Sequence, residues 1–139
     1  MTQTDVSELS LELTDDPETQ NAVFLAAFNS GRGDLFDLLY RSDAISNLSG
    51  RPLTGAARTE AITALLATRP KLHSVVRDSI VAGDTSLIIV GFELEVTGED
   101  GTRQRITGRC TDVLVREPDG KWIMAVDRPV AEHTETLGD

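Results

Sequence analysis

The chain has 139 residues, 40% of them hydrophobic and 26% charged, with a formal net charge of −10. That length suits one domain with one core. The sequence offers no apolar run near the roughly 20 residues that cross a bilayer, and no basic stripe with aromatic content to suit nucleic acid.

The charge is unevenly placed. Residues 1–19 hold six acids and no base, and residues 132–139 hold three acids and no base, which leaves 14 acids against 13 bases between them. The acidity therefore belongs to the ends. The expected division is a flexible N-terminal arm over 1–14, one domain over 15–131 and a solvated acidic C-terminal tail over 132–139. Cys110 is the single cysteine, so no internal disulfide is available. With an N-terminus that has neither a basic residue nor an apolar stretch, this fits a cytoplasmic setting.

In chain order, Leu9, Leu11 and Leu13 alternate weakly, as in an edge strand or a loose arm. Asp16-Pro17-Glu18 is a helix start: Asp caps, Pro suits the first position, and an acid favours the positive end of the helix dipole. Val23, Phe24, Ala27 and Phe28 then recur at helical spacing to Asn29, and Gly31 and Gly33 stop the helix. Asp34–Arg41 reads as a second short helix, and Ala44–Leu48 as a short extended segment. Ser49-Gly50-Arg51-Pro52 is a turn. Thr54 introduces a third helix over Gly55–Thr68, which Pro70 ends.

From residue 72 the period changes to two. Strands are expected over Leu72–Ala82, Ser86–Thr97, Arg103–Arg116 and Lys121–Asp127, with turns at Gly83-Asp84, Glu99-Asp100-Gly101 and Pro118-Asp119-Gly120. Helices followed by a run of hairpin-linked strands indicate α+β, with three helices on one face of a curved, mainly antiparallel sheet.

Several phrases carry a resemblance. Ala26-Ala27-Phe28-Asn29-Ser30-Gly31, Leu38–Ala44, Thr54-Gly55 and Thr111–Trp122 resemble the nuclear transport factor 2-like superfamily, in particular its SnoaL-like and DUF4440-type members. The resemblance covers roughly residues 17–130. It implies a cone-shaped fold enclosing a pocket, a small-molecule ligand in that pocket and a homodimer. It implies no particular chemistry, because the fold carries isomerases, cyclases, dehydratases and association domains.

Ketosteroid isomerase, on this fold, uses an Asp base with a Tyr and a protonated Asp as oxyanion donors. Matching the local phrases puts Phe24 at the Tyr, Leu48 at the base and Asp112 at the oxyanion Asp. Ser46, Asn47 or Ser49 falls at the base after a small shift. Two of the three roles are vacant, so that reaction is not expected.

Asp112 also stands out without the resemblance. It lies between Cys110 and Leu114 on one face of an apolar strand, where a carboxylate is costly unless protonated or paired. It is either a pocket acid or an ion-pair partner of Arg77, Arg105 or Arg109. Asp127 closes the last strand, as a second pocket acid or a turn cap. His73 has the side chain that titrates nearest neutrality, and Tyr40 is the sole Tyr; either serves the pocket or the surface and packing. Phe24, Leu48, Cys110, Trp122 and Arg109 complete the expected pocket lining. No His or Cys spacing suggests a metal, and no motif suggests a cofactor. Two functional classes remain: a pocket protein for an apolar, carbonyl-bearing small molecule, with acid/base isomerisation or cyclisation as its chemistry, or a non-catalytic dimerisation and interaction module.

Overall fold

The computed structural model describes residues 11–48 and 51–138. Helix α1 (Pro17–Asn29) begins where the sequence signals it: the Asp16 carboxylate accepts from the Thr19 amide at 2.9 Å, and Pro17 occupies the first turn. Its inward stripe is Gln20, Val23, Ala27 and Phe28. Helix α2 (Gly33–Asp37) is only five residues long. The expected continuation to Arg41 does not occur, because strand β1 (Tyr40–Ser46) starts there. The Met124 amide donates to the Leu39 carbonyl at 2.9 Å, and Tyr40 pairs with Met124. Strand pairing thus overrides the helical spacing of Leu35, Leu38 and Leu39. Helix α3 (Gly55–Ala67) ends at Thr68, followed by Arg69 with a φ of 59° and then Pro70. Of the expected turn at 49–52, Ser49 and Gly50 lie outside the described residues.

Strands β2 (Lys71–Ala82), β3 (Thr85–Thr97), β4 (Arg103–Arg116) and β5 (Trp122–Thr136) complete one sheet of order β1-β5-β4-β3-β2. Three of its pairings are antiparallel, and β1 runs parallel to β5. Alternation sorts the side chains into two faces. On β3, Ser86, Ile88, Val90 and Phe92 are buried on the inner face beneath the helices, while Leu87 and Ile89 belong to the outer face. None of the described helices is long and apolar enough to cross a membrane.

The ends differ from expectation. Residues 1–10 of the expected arm lie outside the described residues, but Leu13 is 5% exposed and bridges to Trp122, and Leu11 packs on the core. At the other end, β5 runs nine residues past Asp127. Pro129 falls within β5, yet it costs the ladder nothing. The Pro129 carbonyl accepts from Asn47 Nδ2 at 3.0 Å, on the side of β5 away from β4. A residue's N and C=O face the same neighbour, so the missing N–H lies on that open edge. The acidic residues beyond are held by basic partners on β4: Arg109 lies 3.6 Å from Glu132 and Arg105 lies 3.1 Å from Glu135.

The extension depends on one glycine. The β4–β5 register shifts between Thr107 and Gly108, which presses the β5 backbone against Gly108. A Cβ there would sit 2.0 Å from the Val130 carbonyl oxygen. Gly108→Ala should therefore lower stability by about 1–3 kcal/mol, the usual cost of overpacking, measured by urea denaturation. An unchanged midpoint would show that the bulge relaxes freely.

Candidate active site

The central feature is set by register. Asp112 on β4 and Asp127 on β5 are direct partners. The Asp127 carbonyl accepts from the Asn47 amide at 2.8 Å, so its backbone groups face away from β4. The pair is therefore of the non-hydrogen-bonded kind, in which facing side chains lie closest. Both carboxylates point to the inner face.

Three donors converge on them. The Tyr40 hydroxyl donates to Asp127 Oδ2 at 2.5 Å, and the Ser46 hydroxyl donates to the same oxygen at 3.1 Å. The Cys110 thiol lies between the acids, 3.1 Å from Oδ1 of each. Tyr40 and Ser46 reach Asp127 because β1 runs alongside β5. The Tyr40 ring is fixed by Phe24, edge-on at 6.2 Å, by Phe36 at 5.3 Å, and by the Arg58 guanidinium 4.7 Å from its centroid. Arg58 is itself buried and held by Asp37 at 2.7 Å.

Burial pushes the pKa of Asp112 well above the usual carboxylate range, and the negative charge of Asp127 and a hydrogen bond with it add to the rise. The thiol of Cys110 is pushed up by burial and by both acids. The Tyr40 phenol is pushed up by burial and then by Asp127. Burial thus favours the protonated forms of Asp112, Cys110 and Tyr40, while Asp127 is the acceptor for the Tyr40 and Ser46 hydroxyls. Ligand atoms of Cys110, Asp112 and Asp127 all lie within 4.8 Å of one another. A cation bound there would have to displace both the thiol proton and the Asp112 proton, against the direction in which burial drives them.

The cluster opens on a cavity of about 340 Å³ between α1, α2 and the inner face of the sheet. Its wall is mostly apolar, with Phe24, Phe28, Phe36, Leu48, Leu72, Val90, Phe92, Leu94 and Ile106. The remaining polar groups on it include Gln20, Asn21, Asn47 and Ser74.

Of the residues singled out from the sequence, Tyr40, Asp112, Asp127, Phe24, Leu48 and Cys110 meet at this cavity. His73, Arg109 and Trp122 do not line it. His73 is exposed on β2 between the inward Leu72 and Ser74 and pairs with Glu93, which puts it on the outer face. Arg109 is on the outer face of β4, paired with Glu132. Trp122 is half-buried against the core beside Leu13, with Arg116 5.6 Å from its ring. Arg105 pairs with Glu95 and Glu135, and Arg77 lies over Gly91, so the basic neighbours considered for Asp112 are engaged on the other face. Gln20 and Asn21 were not anticipated. The available signal was a polar residue at position 20, three and four residues before Val23 and Phe24 on the apolar stripe.

A family model described as "SnoaL-like domain" matches residues 22–124. The chain belongs to the SnoaL-like domain family. None of the curated proteins matches the sequence significantly. Similar solved structures bear out the cone-shaped α+β fold of this SnoaL-like domain. One, from Thiobacillus denitrificans, is described as a calcium/calmodulin-dependent protein kinase type II association domain; it is 24% identical, with a TM-score of 0.68, covering 84% of this chain and 95% of its own. A hexachlorocyclohexane dehydrochlorinase, LinA type 2, is 15% identical with a TM-score of 0.67, covering 82% and 81%. SalBIII, described as an epoxide hydrolase/cyclase-like enzyme in pyran ring formation, is 17% identical with a TM-score of 0.64, covering 89% and 100%. At these identities the likeness is one of fold.

The raised pKa of Asp112 makes the stability of this SnoaL-like domain depend on pH with a definite sign. Below about pH 3.9, the unfolded value, both states hold the proton and the contribution is full. As pH rises from there to the folded pKa, only the folded state binds it, so stability falls, and it levels off above. Asp112→Asn keeps a donor to Asp127 and removes the titration. The variant should therefore lack this decline and be more stable than the parent at pH 8, by thermal denaturation across pH 4–9. A variant destabilised equally at every pH would show Asp112 to be a structural carboxylate.

Proposed function

We propose that this SnoaL-like domain is an acid/base enzyme acting on a small, apolar, carbonyl-bearing molecule in the inner cavity. The observation that carries the reading is the facing of two aspartates, Asp112 and Asp127, on the wall of a mostly apolar cavity. Such a pair can give and take protons on one substrate without a change of net charge. In an isomerisation, Asp127 removes a proton from the carbon next to the carbonyl, and the Asp112 acid donates a hydrogen bond to the oxygen as it gains negative charge. The proton then returns from Asp127 to another carbon of the same conjugated system. In a cyclisation, Asp127 takes the proton of an attacking hydroxyl while Asp112 protonates the electrophile. Tyr40 and Ser46 orient Asp127. That fold neighbours are described as a dehydrochlorinase and a cyclase-like enzyme supports pocket chemistry on this scaffold. A cytoplasmic setting accompanies the proposal, suited to the buried thiol of Cys110.

A separate observation favours assembly. The outer face of the sheet carries Ile80, Leu87, Ile89, Val113 and Val115 in adjacent register, with Ile80 59% exposed. We infer from it a homodimer through this face, which the non-catalytic reading also requires. The two readings part over turnover.

The test is exchange of the α-protons of 1-tetralone in deuterated buffer, followed by NMR. The protein should accelerate exchange. Asp127→Asn should lose about 100-fold or more of the acceleration, in line with removal of a general base, and Tyr40→Phe should lose less. No acceleration by the parent between pH 5 and 9 would overturn the catalytic reading and leave the assembly one.

A further inference from the structure

The cavity has a second polar pole. Gln20 is 1% exposed and lines the cavity, and neither its Oε1 nor its Nε2 has a hydrogen-bond partner among the described residues. Buried carboxamides are ordinarily satisfied, because an unmet donor or acceptor carries the full cost of leaving water. The adjacent side chain shows the ordinary case. Asn21 also lines the cavity, but it accepts from the Ser74 hydroxyl at 2.6 Å and donates to the Ser74 carbonyl at 3.1 Å, tying α1 to β2. Gln20 makes no such tie. Its backbone is held in the helix by the Asp16 carbonyl at 3.0 Å. Its amide is committed to nothing among the described residues.

The location matters as much as the lack of partners. Gln20 lies one helical turn before Phe24, and the Phe24 ring stands edge-on to Tyr40 at 6.2 Å. The amide is thus on the helix wall, one turn from the aromatic group that flanks the acid pair. Between the two poles the lining is largely aromatic and aliphatic. The poles differ in kind: the sheet pole is a pair of facing aspartates, whereas the helix pole is a carboxamide, which donates and accepts at once.

We infer that Gln20 is a specificity-determining residue that binds a hydroxyl group of the ligand, at the end remote from the group engaged by Asp112 and Asp127. This rests on the inner cavity being the ligand site. A hydroxyl is the smallest neutral group that answers both atoms of a carboxamide, accepting from Nε2 and donating to Oε1. A hydrocarbon end leaves both atoms unmet, and a charged end adds a desolvation cost in an apolar cavity. The substrate class is therefore a neutral hydroxy-carbonyl compound, with its two oxygen functions separated by an apolar body. Sites built to bind a hydroxyl discriminate strongly against analogues that lack it, because the protein groups are then stranded.

The probes are 1-tetralone and its 5-, 6- and 7-hydroxy derivatives, which vary the hydroxyl position around a rigid ketone. Affinities are measured by titration calorimetry on the full chain, its Gln20→Leu and Gln20→Met variants, and Asp112→Asn. At least one hydroxy isomer should bind the parent tenfold or more tightly than 1-tetralone. Gln20→Leu and Gln20→Met should abolish that preference, leave 1-tetralone binding as tight or tighter, and keep or raise the melting temperature. Asp112→Asn should weaken the ketone contact and leave the hydroxyl preference in place. Equal binding of all four ketones to the parent, or a preference that survives both Gln20 variants, overturns the assignment and means that solvent alone answers the amide. Loss of folding in both Gln20 variants also overturns it, since the amide would then be structural. If no tetralone binds the parent, the pocket reading falls and the assignment falls with it.

Discussion

Two carboxylates facing each other across the narrow kind of antiparallel pair form the constraint around which this domain is arranged. Like charges directly opposite on a sheet are unfavourable, and burial makes them more so. The fold eases the conflict by burying Asp112, which favours its protonated form, and by surrounding Asp127 with donors. Cys110 contributes between the acids because it is two residues before Asp112 on the same face. Tyr40 and Ser46 contribute because β1 lies parallel to β5, and that parallel pairing is possible only because α3 and β2 to β4 intervene as a long crossover. The topology and the protonation state are thus parts of one solution.

What holds the cluster in place lies partly outside it. Arg58 from α3 sits over the Tyr40 ring and is tied to Asp37 of α2, so two helices brace the phenol that binds Asp127. Asn47 closes the edge of β5 through the Asp127 and Pro129 carbonyls. These contacts fix which side of β5 faces β4, and with it the narrow register of the acid pair. A one-residue slip would turn Asp127 to the outer face.

Much of this was legible in the sequence, for identifiable reasons. Asp16-Pro17 marks α1 because capping and fixed φ act locally. The period of two over Ser86–Thr97 marks β3 because one face is buried and the other is not. Asp112 was conspicuous as a carboxylate on that kind of face. What failed to show depends on distant partners. The Leu35–Tyr40 stretch has helical spacing, and only pairing with β5 makes Tyr40 a strand residue. The end of β5 is acidic and looks like a tail until the arginines of β4 are placed beside it. Asp127 alone gives no clue to its direction, which is set by the contact of its carbonyl with the Asn47 amide. His73 shows the parity rule from the other side: one position from two inward residues, it faces outward whatever its chemistry.

The electrostatics of the cavity narrow the ligands it can take. The raised pKa of Asp112 favours its neutral form, and Asp127 is already met by Tyr40, Ser46 and Cys110. An anionic ligand would bring a second charge into an apolar enclosure that contains no described basic side chain on its lining. A cationic ligand would gain from the pair, but would have to shed its water against a wall of phenylalanine and leucine. A neutral molecule meets neither penalty. The burial that raises the pKa of Asp112 therefore also weighs against charged ligands in the cone.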